Sequence, residues 1–279
     1  MMEKSLQEKA ARLKHLIKSY GRVAVAFSAG VDSTLVLKVA KEVLPQGHVL
    51  AITVNSSLVP AADVEEAKAF CREEGLPHQV AELDPLIYYD VRTNPPERCY
   101  FCKRLVLGQL RELAGRANIV HLLDGTNADD GKDYRPGHKA VRQLGVLSPL
   151  KEAGFTKADI RAYARELGLK NADKPSAACL ASRIPYGEEL TRAKLQRVGA
   201  AENFLHSLGF DQLRVRSHGD LARIELLPDD VERFLQGDLR EQVAIKLKEL
   251  GFAYVALDLQ GYRMGSLNEP LKGKGNGKK

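Results

Sequence analysis

No stretch of this 279-residue chain approaches the ~20 consecutive apolar residues that cross a bilayer, and the opening Met1-Met2-Glu3-Lys4 begins a charged amphipathic segment rather than an export signal. Neither membrane insertion nor secretion is expected. Cysteine is scarce: four in the whole chain, too few to staple a secreted scaffold of this length. The expected compartment is the cytoplasm. Net positive charge is scarcer than it first looks. The formal value is +6, but Lys272, Lys274, Lys278 and Lys279 in the Gly-rich tail supply four of those charges and leave +2 for the rest. Elsewhere basic and acidic residues interleave, as in Arg111-Glu112 and Lys246-Leu247-Lys248-Glu249, which is the pattern of a solvated face. Nucleic acid is therefore not an expected partner. No internal repeat divides the sequence.

What is present reads as a globular protein. Hydrophobic residues make up 44% and charged residues 28%, so the chain can bury a core of its own, and its length suits a large domain with a smaller one. Leu6, Ala10, Leu13, Leu16 and Ile17 recur at helical spacing up to Gly21. Apolar runs at 23–27, 49–54, 78–81 and 119–123 read as buried strands, with helical patterns at 34–43, 62–74 and 100–114 between them. Strands alternating with helices predict an α/β fold: a Rossmann-like parallel sheet covered by helices on both faces. After a helix at 156–167, residues 170–190 show no convincing period, and such a segment inside a compact protein is usually functional. A helix at 191–208, strands at 212–217 and 221–227, helices at 229–236 and 239–250 and a strand at 254–257 then predict a smaller α+β domain. The expected boundaries are 1–185, 186–268 and a disordered tail at 269–279.

Ser28-Ala29-Gly30-Val31-Asp32-Ser33-Thr34 joins the first strand to the following helix. Small residues let backbone N–H groups converge on an anion, and the positive end of the helix faces it. Ser28, Ser33 and Thr34 add hydroxyls, and Asp32 is placed to hold Mg²⁺ or to cap the helix. No Gly-Lys-Ser/Thr follows, so this is not a Walker loop. The hexamer resembles the PP-loop of the ATP pyrophosphatases (adenine nucleotide alpha hydrolase-like fold), which is Ser-Gly-Gly-x-Asp-Ser, with Ala29 in place of a glycine at the second position. Any need for a positive φ there is met less comfortably. The resemblance implies cleavage of ATP between its α and β phosphates. Gly125-Thr126-Asn127-Ala128-Asp129-Asp130, at the end of another predicted strand, resembles a second nucleotide element of these enzymes, with Asp130 as a Mg²⁺ ligand. Arg135 is a candidate phosphate clamp.

Cys99-Tyr100-Phe101-Cys102 straddles a helix start and is open to three readings: metal ligands, a redox pair, or two buried apolar residues. Cys71 falls on the apolar side of a helix and reads as core. Cys179 lies in Ser176-Ala177-Ala178-Cys179-Leu180-Ala181-Ser182-Arg183-Ile184-Pro185. Together with Arg214-Val215-Arg216, His218-Gly219 and Ala222-Arg223-Ile224-Glu225, these segments look like the LarE-type sulfur transferases that make the nickel-pincer nucleotide of lactate racemase. The likeness runs from about residue 5 to 268.

That resemblance implies adenylation of a carboxylate on pyridinium-3,5-biscarboxylic acid mononucleotide, followed by displacement of AMP by sulfur. The sulfur comes either from the cysteine at the Cys179 position, which is sacrificed, or from a [4Fe-4S] cluster on three cysteines. Cys99, Cys102 and Cys179 occupy all three positions, and three thiolates leave one iron open for a transferable sulfide, which favours the cluster. The expected cofactors are ATP, Mg²⁺ and that cluster. Arg183, Arg214 and Arg216 suit the substrate's phosphate, and Glu225 suits proton transfer or the orientation of an arginine. A homo-oligomer built from trimers is also implied. The competing readings are a PP-loop tRNA thiolase, an amidotransferase-fed synthetase, and a sensor that holds adenine nucleotide without turnover.

Overall fold

The computed structural model describes residues 3–132, 136–175 and 178–269. They fall into two compact units, Met1–Val91 with Pro96–Ala177, and Arg92–Pro95 with Ala178–Lys279. Arg135 and all but Glu269 of the expected tail lie outside the described residues.

In the first unit, α1 (Lys4–Tyr20) leads to β1 (Val23–Ala26), α2 (Val31–Val43), β2 (Val49–Asn55), α3 (Ala61–Glu73) and β3 (His78–Glu82). The single turn α4 (Tyr89–Arg92) precedes α5 (Arg98–Arg116), β4 (His121–Leu123), α6 (Gly137–Gln143), α7 (Pro149–Glu152) and α8 (Lys157–Glu166). The sheet is parallel throughout, in the order β3-β2-β1-β4, with Val23 in register with both Val49 and His121. The period-2 pleat of β1 sorts its side chains. Val23 and Val25 enter a core with α1, α2 and α8, while Ala24 joins Leu107, Leu110 and Ala114 of α5 on the other face. Helices thus cover both faces, and that is why β1, Val23–Ala26, reads as apolar at every position. From α1, Leu13 and Ile17 are fully buried, and each such side chain contributes about 1.5–3 kcal/mol.

The chain winds outward from β1 to β2 and β3, then crosses to β4 on the other side of β1. The order reverses between β1 and β4, and in open α/β sheets ligands bind outside the carboxyl ends of the strands at such a point.

In the second unit, α9 (Arg192–Ser207) packs on a sheet of order β5-β6-β7, formed by β5 (Leu213–His218), β6 (Leu221–Leu226) and β7 (Tyr254–Leu257). β5 and β6 form an antiparallel hairpin turned at Gly219. β7 pairs parallel to β6 after the crossover helices α10 (Pro228–Leu235) and α11 (Leu239–Glu249), as a parallel return requires. Leu213 and Val215 point into the core, but the alternate residues Arg214 and Arg216 are also more than nine-tenths buried. Charge buried along one face of a short strand requires buried partners. The short strap 92–95 belongs to this unit: the Asn94 amide donates to the carbonyls of Ile184 and Pro185, and Gly187 N donates back to Asn94 O.

The elements expected from periodicity are present. Helices α4, α6 and α7 are additions, each seven residues or fewer and too short to display a helical period. Within the irregular 170–190 segment the one regular element among the described residues is a 3-10 turn, Leu180–Arg183. No helix among the described residues is long and apolar enough to cross a membrane.

Candidate functional site

Residues 27–30 carry the chain from β1 into α2. Ala29 is in the left-handed region at φ 55° and is 1% exposed. An L-residue there is disfavoured by about 1–2 kcal/mol. The loop is held from within: Ser33 Oγ donates to Gly30 O at 3.0 Å and accepts from Ser28 N at 3.3 Å, and Thr34 Oγ1 also donates to Gly30 O. From below, Asn171 Nδ2 donates to Ala29 O at 3.0 Å and to Thr34 Oγ1 at 2.8 Å. The N-cap of α2 is Gly30 and no side chain caps the helix, whose positive end lies at this loop. Asp32 therefore does not cap. It lies one residue inside the helix, where both carboxylate oxygens accept from Lys157 Nζ, at 2.8 and 2.7 Å.

The second loop follows β4. Asp124, 5% exposed, accepts from Thr126 N, Thr126 Oγ1 and Ser148 Oγ, and pairs with Lys103 at 3.6 Å. Asn127 N donates to Asp130 Oδ2, and Asp129 Oδ2 accepts from Lys157 N. Lys157 thus touches both loops, by its ammonium and by its backbone. Gly125 makes the closest approach: a Cβ there would lie 2.9 Å from Ser33 N and 3.0 Å from Asp32 Cβ. Only glycine lets the β4 loop lie this close to the start of α2.

In the second unit the three arginines expected at a substrate phosphate have different partners. Arg183 sends Nε and Nη2 to the two oxygens of Glu202, at 2.9 and 2.8 Å, and Nη1 to Ala178 O, Cys179 O and Ser182 Oγ. Arg216 forks onto Glu225 at 3.0 and 2.8 Å and reaches Ser182 O and Ser266 Oγ. Arg214 donates to Leu213 O and stacks on Tyr262, its ring centroid 5.2 Å away. Burial, and then the charge of Arg183, hold the Arg214 pKa below the usual guanidinium value. Glu225 has no exposed surface and also accepts from Arg223. Of the two tasks expected of it, proton transfer and the orienting of an arginine, the contacts display the second.

Cys99 and Cys102 lie three residues apart in the first turn of α5, half-buried, with Arg98 Nη2 donating to Cys99 Sγ at 3.3 Å. Cys179 belongs to the other unit and is exposed. No disulfide joins any of them, and among the described residues no group of three His, Cys, Asp or Glu side chains is poised for a metal ion. Cys71 is buried in the core, and desolvation pushes its thiol up to about 12.

Three residues of these constellations were not anticipated. Glu202 had a signal: it falls at core spacing between Val198 and Leu205, where a carboxylate needs a buried partner. Lys157 had a weaker one, since it starts a helix behind the Thr156 and Asp159 capping box. Asn171 had none, because its partners are 142 and 137 residues away.

A family model described as NAD synthase matches residues 6–98, the stretch that holds the Ser28 loop. The chain is 42% identical over 267 residues to the pyridinium-3,5-bisthiocarboxylic acid mononucleotide synthase of Lactiplantibacillus plantarum, covering 96% of each. It is also 42% identical to an uncharacterised protein of Synechocystis sp., over 95% of this chain and 99% of the other. A tRNA-specific 2-thiouridylase of Rhodospirillum rubrum is 30% identical over 65% of this chain and 58% of its own.

Proposed function

The chain belongs to the LarE-type family of pyridinium mononucleotide sulfur transferases, among the PP-loop ATP pyrophosphatases, and on that premise we propose that it converts pyridinium-3,5-biscarboxylic acid mononucleotide to its thiocarboxylate through an acyl-adenylate. It is an ATP-dependent enzyme. A substrate carboxylate oxygen attacks the α-phosphorus of ATP, pyrophosphate leaves, and sulfur then displaces AMP from the acyl carbon.

The observation that carries the adenylation half is the packing of Gly125 on the start of α2, which sets two nucleotide loops against each other where the strand order reverses. The amino end of α2, where no side-chain cap is made, is the anion site for the departing pyrophosphate, and Lys157 adds a positive charge beside it. Asp32 and Asp130 are the carboxylates for Mg²⁺, which neutralises phosphate charge when bound. For Asp32 to serve, its carboxylate has to be shared with or released by Lys157.

In the second unit Arg214 is the guanidinium for the mononucleotide's phosphate. Glu202 and Glu225 hold Arg183 and Arg216 in bidentate pairs, and a phosphate beside the buried Arg214 would favour its charged form against the burial that lowers its pKa. Replacing Arg214 with Leu is expected to raise KM for the mononucleotide about 30-fold and KM for ATP less than threefold, in steady-state assays. The opposite split would remove it from this role.

Cys99, Cys102 and Cys179 are the proposed ligands of a [4Fe-4S] cluster. The chemistry of the donor set fits: thiols outside disulfides, three of them exposed or half-exposed, one already accepting a hydrogen bond from a guanidinium. When bound, such a cluster presents an open iron on which a transferable sulfide is carried. Anaerobic reconstitution followed by iron and sulfide analysis should show uptake that is lost in Cys99→Ala. No uptake, or uptake unchanged in that variant, leaves sacrifice of the Cys179 sulfur instead. A cytoplasmic homo-oligomer of trimers completes the proposal, and sedimentation of the full chain tests the assembly.

The function itself is tested by mixing enzyme, ATP, Mg²⁺ and the carboxylated mononucleotide. Pyrophosphate release that depends on the mononucleotide, with a thiocarboxylate product by mass spectrometry, is the expected result. A gel shift with tRNA and no mononucleotide-dependent pyrophosphate would replace it with a tRNA thiolase.

A further inference from the structure

Cys179 is exposed at the head of a short turn, Leu180–Arg183, and an exposed loop position does not ordinarily hold a reactive side chain still. Here its backbone is gripped from the inside. Arg183, 4% exposed, places Nη1 2.7 Å from Ala178 O, 3.2 Å from Cys179 O and 2.9 Å from Ser182 Oγ. Ser182 in turn donates to Cys179 O from Oγ at 2.9 Å and from its backbone N at 3.0 Å, so three donors converge on the carbonyl of the cysteine itself. Arg183 keeps this posture because its Nε and Nη2 fork is locked onto both oxygens of Glu202. Glu202 is fixed by α9 and by accepting from Val215 N of β5 at 2.9 Å. The sequence of contacts runs from a core sheet through one carboxylate and one guanidinium to the cysteine's own peptide.

We propose that Glu202 and Arg183 are positioning residues for sulfur transfer: they aim Cys179 and do not bind the substrate's phosphate. The chemistry of the pair supports this. A guanidinium with Nε and Nη2 engaged by a buried carboxylate, and with Nη1 on two carbonyls and a hydroxyl, has its donors committed to the protein. Lysine in its place keeps the charge but lacks the planar fork, so it cannot satisfy Glu202 and the turn together. The inference rests on the sulfur-transfer reading, because it concerns the step after adenylation.

The test separates the two half-reactions in the full-length enzyme. Mononucleotide-dependent ATP–pyrophosphate exchange reports adenylation, and thiocarboxylate formed per pyrophosphate released reports the use of the adenylate by sulfur. Arg183→Lys is expected to keep exchange and KM for the mononucleotide within about threefold of the parent, and to lower thiocarboxylate per pyrophosphate at least tenfold, the difference being lost as hydrolysed adenylate. Glu202→Gln should move the ratio in the same direction, less far. A raised KM for the mononucleotide with the ratio unchanged would make Arg183 a phosphate ligand and overturn the proposal. Equal loss of both half-reactions, tracking a fall in Tm, would make the pair merely structural and overturn it too. Should the buried variants fail to fold, Ser182→Ala decides: it removes one donor to Cys179 O from a partly exposed site, and a ratio unchanged from the parent sinks the idea, whereas a fall of threefold or more upholds it. Absence of exchange in the parent enzyme is a different outcome, and removes the proposed function together with what rests on it.

Discussion

The two units handle negative charge by opposite means. The first builds its anion site from backbone: a helix start without a side-chain cap, small residues, and a glycine that lets a second loop come within contact, with the ion pair of Lys157 and Asp32 about one quarter exposed at the rim. The second builds its site from side chains, with Arg183, Arg214, Arg216, Glu202 and Glu225 all 9% exposed or less. Backbone amides are fixed by the fold and carry no desolvated net charge. Buried guanidinium and carboxylate groups carry desolvated charge, and each becomes a liability when its charged partner is removed. The first site is therefore expected to be sensitive in function and insensitive in stability, and the second sensitive in both.

Substitution of Glu225 by Ala should break the second site most severely, because it leaves Arg216 and Arg223 without their shared carboxylate. A loss of about 3–5 kcal/mol in urea unfolding is expected. A loss below about 1 kcal/mol would mean that the buried pairs resemble surface ones. Next comes Gly125→Ala in the first site. Its new methyl meets Ser33 N and Asp32 Cβ, mostly backbone of the helix start, so the loops must part. A roughly 100-fold fall in kcat/KM for adenylation is expected, equivalent to about 2.7 kcal/mol of transition-state stabilisation. Activity near that of the parent would show that loop contact is incidental.

Removal of Lys157 sharpens the contrast. Partly exposed pairs contribute about 0–1 kcal/mol, so Lys157→Ala should leave thermal stability nearly unchanged while pyrophosphate exchange falls about tenfold or more. Comparable losses in both would put it in the same class as Glu225. The smallest effect is expected from Ala29→Gly. Relief of the left-handed backbone is partly offset by loss of a buried methyl, so stability should rise by no more than about 1 kcal/mol, with KM for ATP within twofold. Destabilisation would show that the methyl outweighs the strain.

The same contrast decides what could be read from the sequence. Sites made of backbone leave a compact signature, because the residues that allow them are consecutive: Ser28 to Thr34 and Gly125 to Asp130 stand out in a linear text. Even the awkward conformation of Ala29 followed from its place in the pattern. The parallel sheet was legible because its central strand β1 is apolar throughout and strands alternate with helices along the chain. Sites made of side chains are dispersed. Arg214 and Arg216 were noticed, but not which carboxylate holds which arginine, since Glu202 comes from α9 and Glu225 from β6. Asn171 is invisible and Lys157 nearly so for the same reason: each is defined by a partner more than 120 residues away.

Cys71 has no part in any of this chemistry, and that makes it useful. Packed under α3 with its thiol raised to about 12, it withholds itself from electrophiles for as long as the first core stays closed. An alkylation count on the intact chain should therefore stop at three, and the fourth equivalent should appear only with global opening. The protein carries its own internal clock, by which modification of the working cysteines can be timed against unfolding in a single mass spectrum.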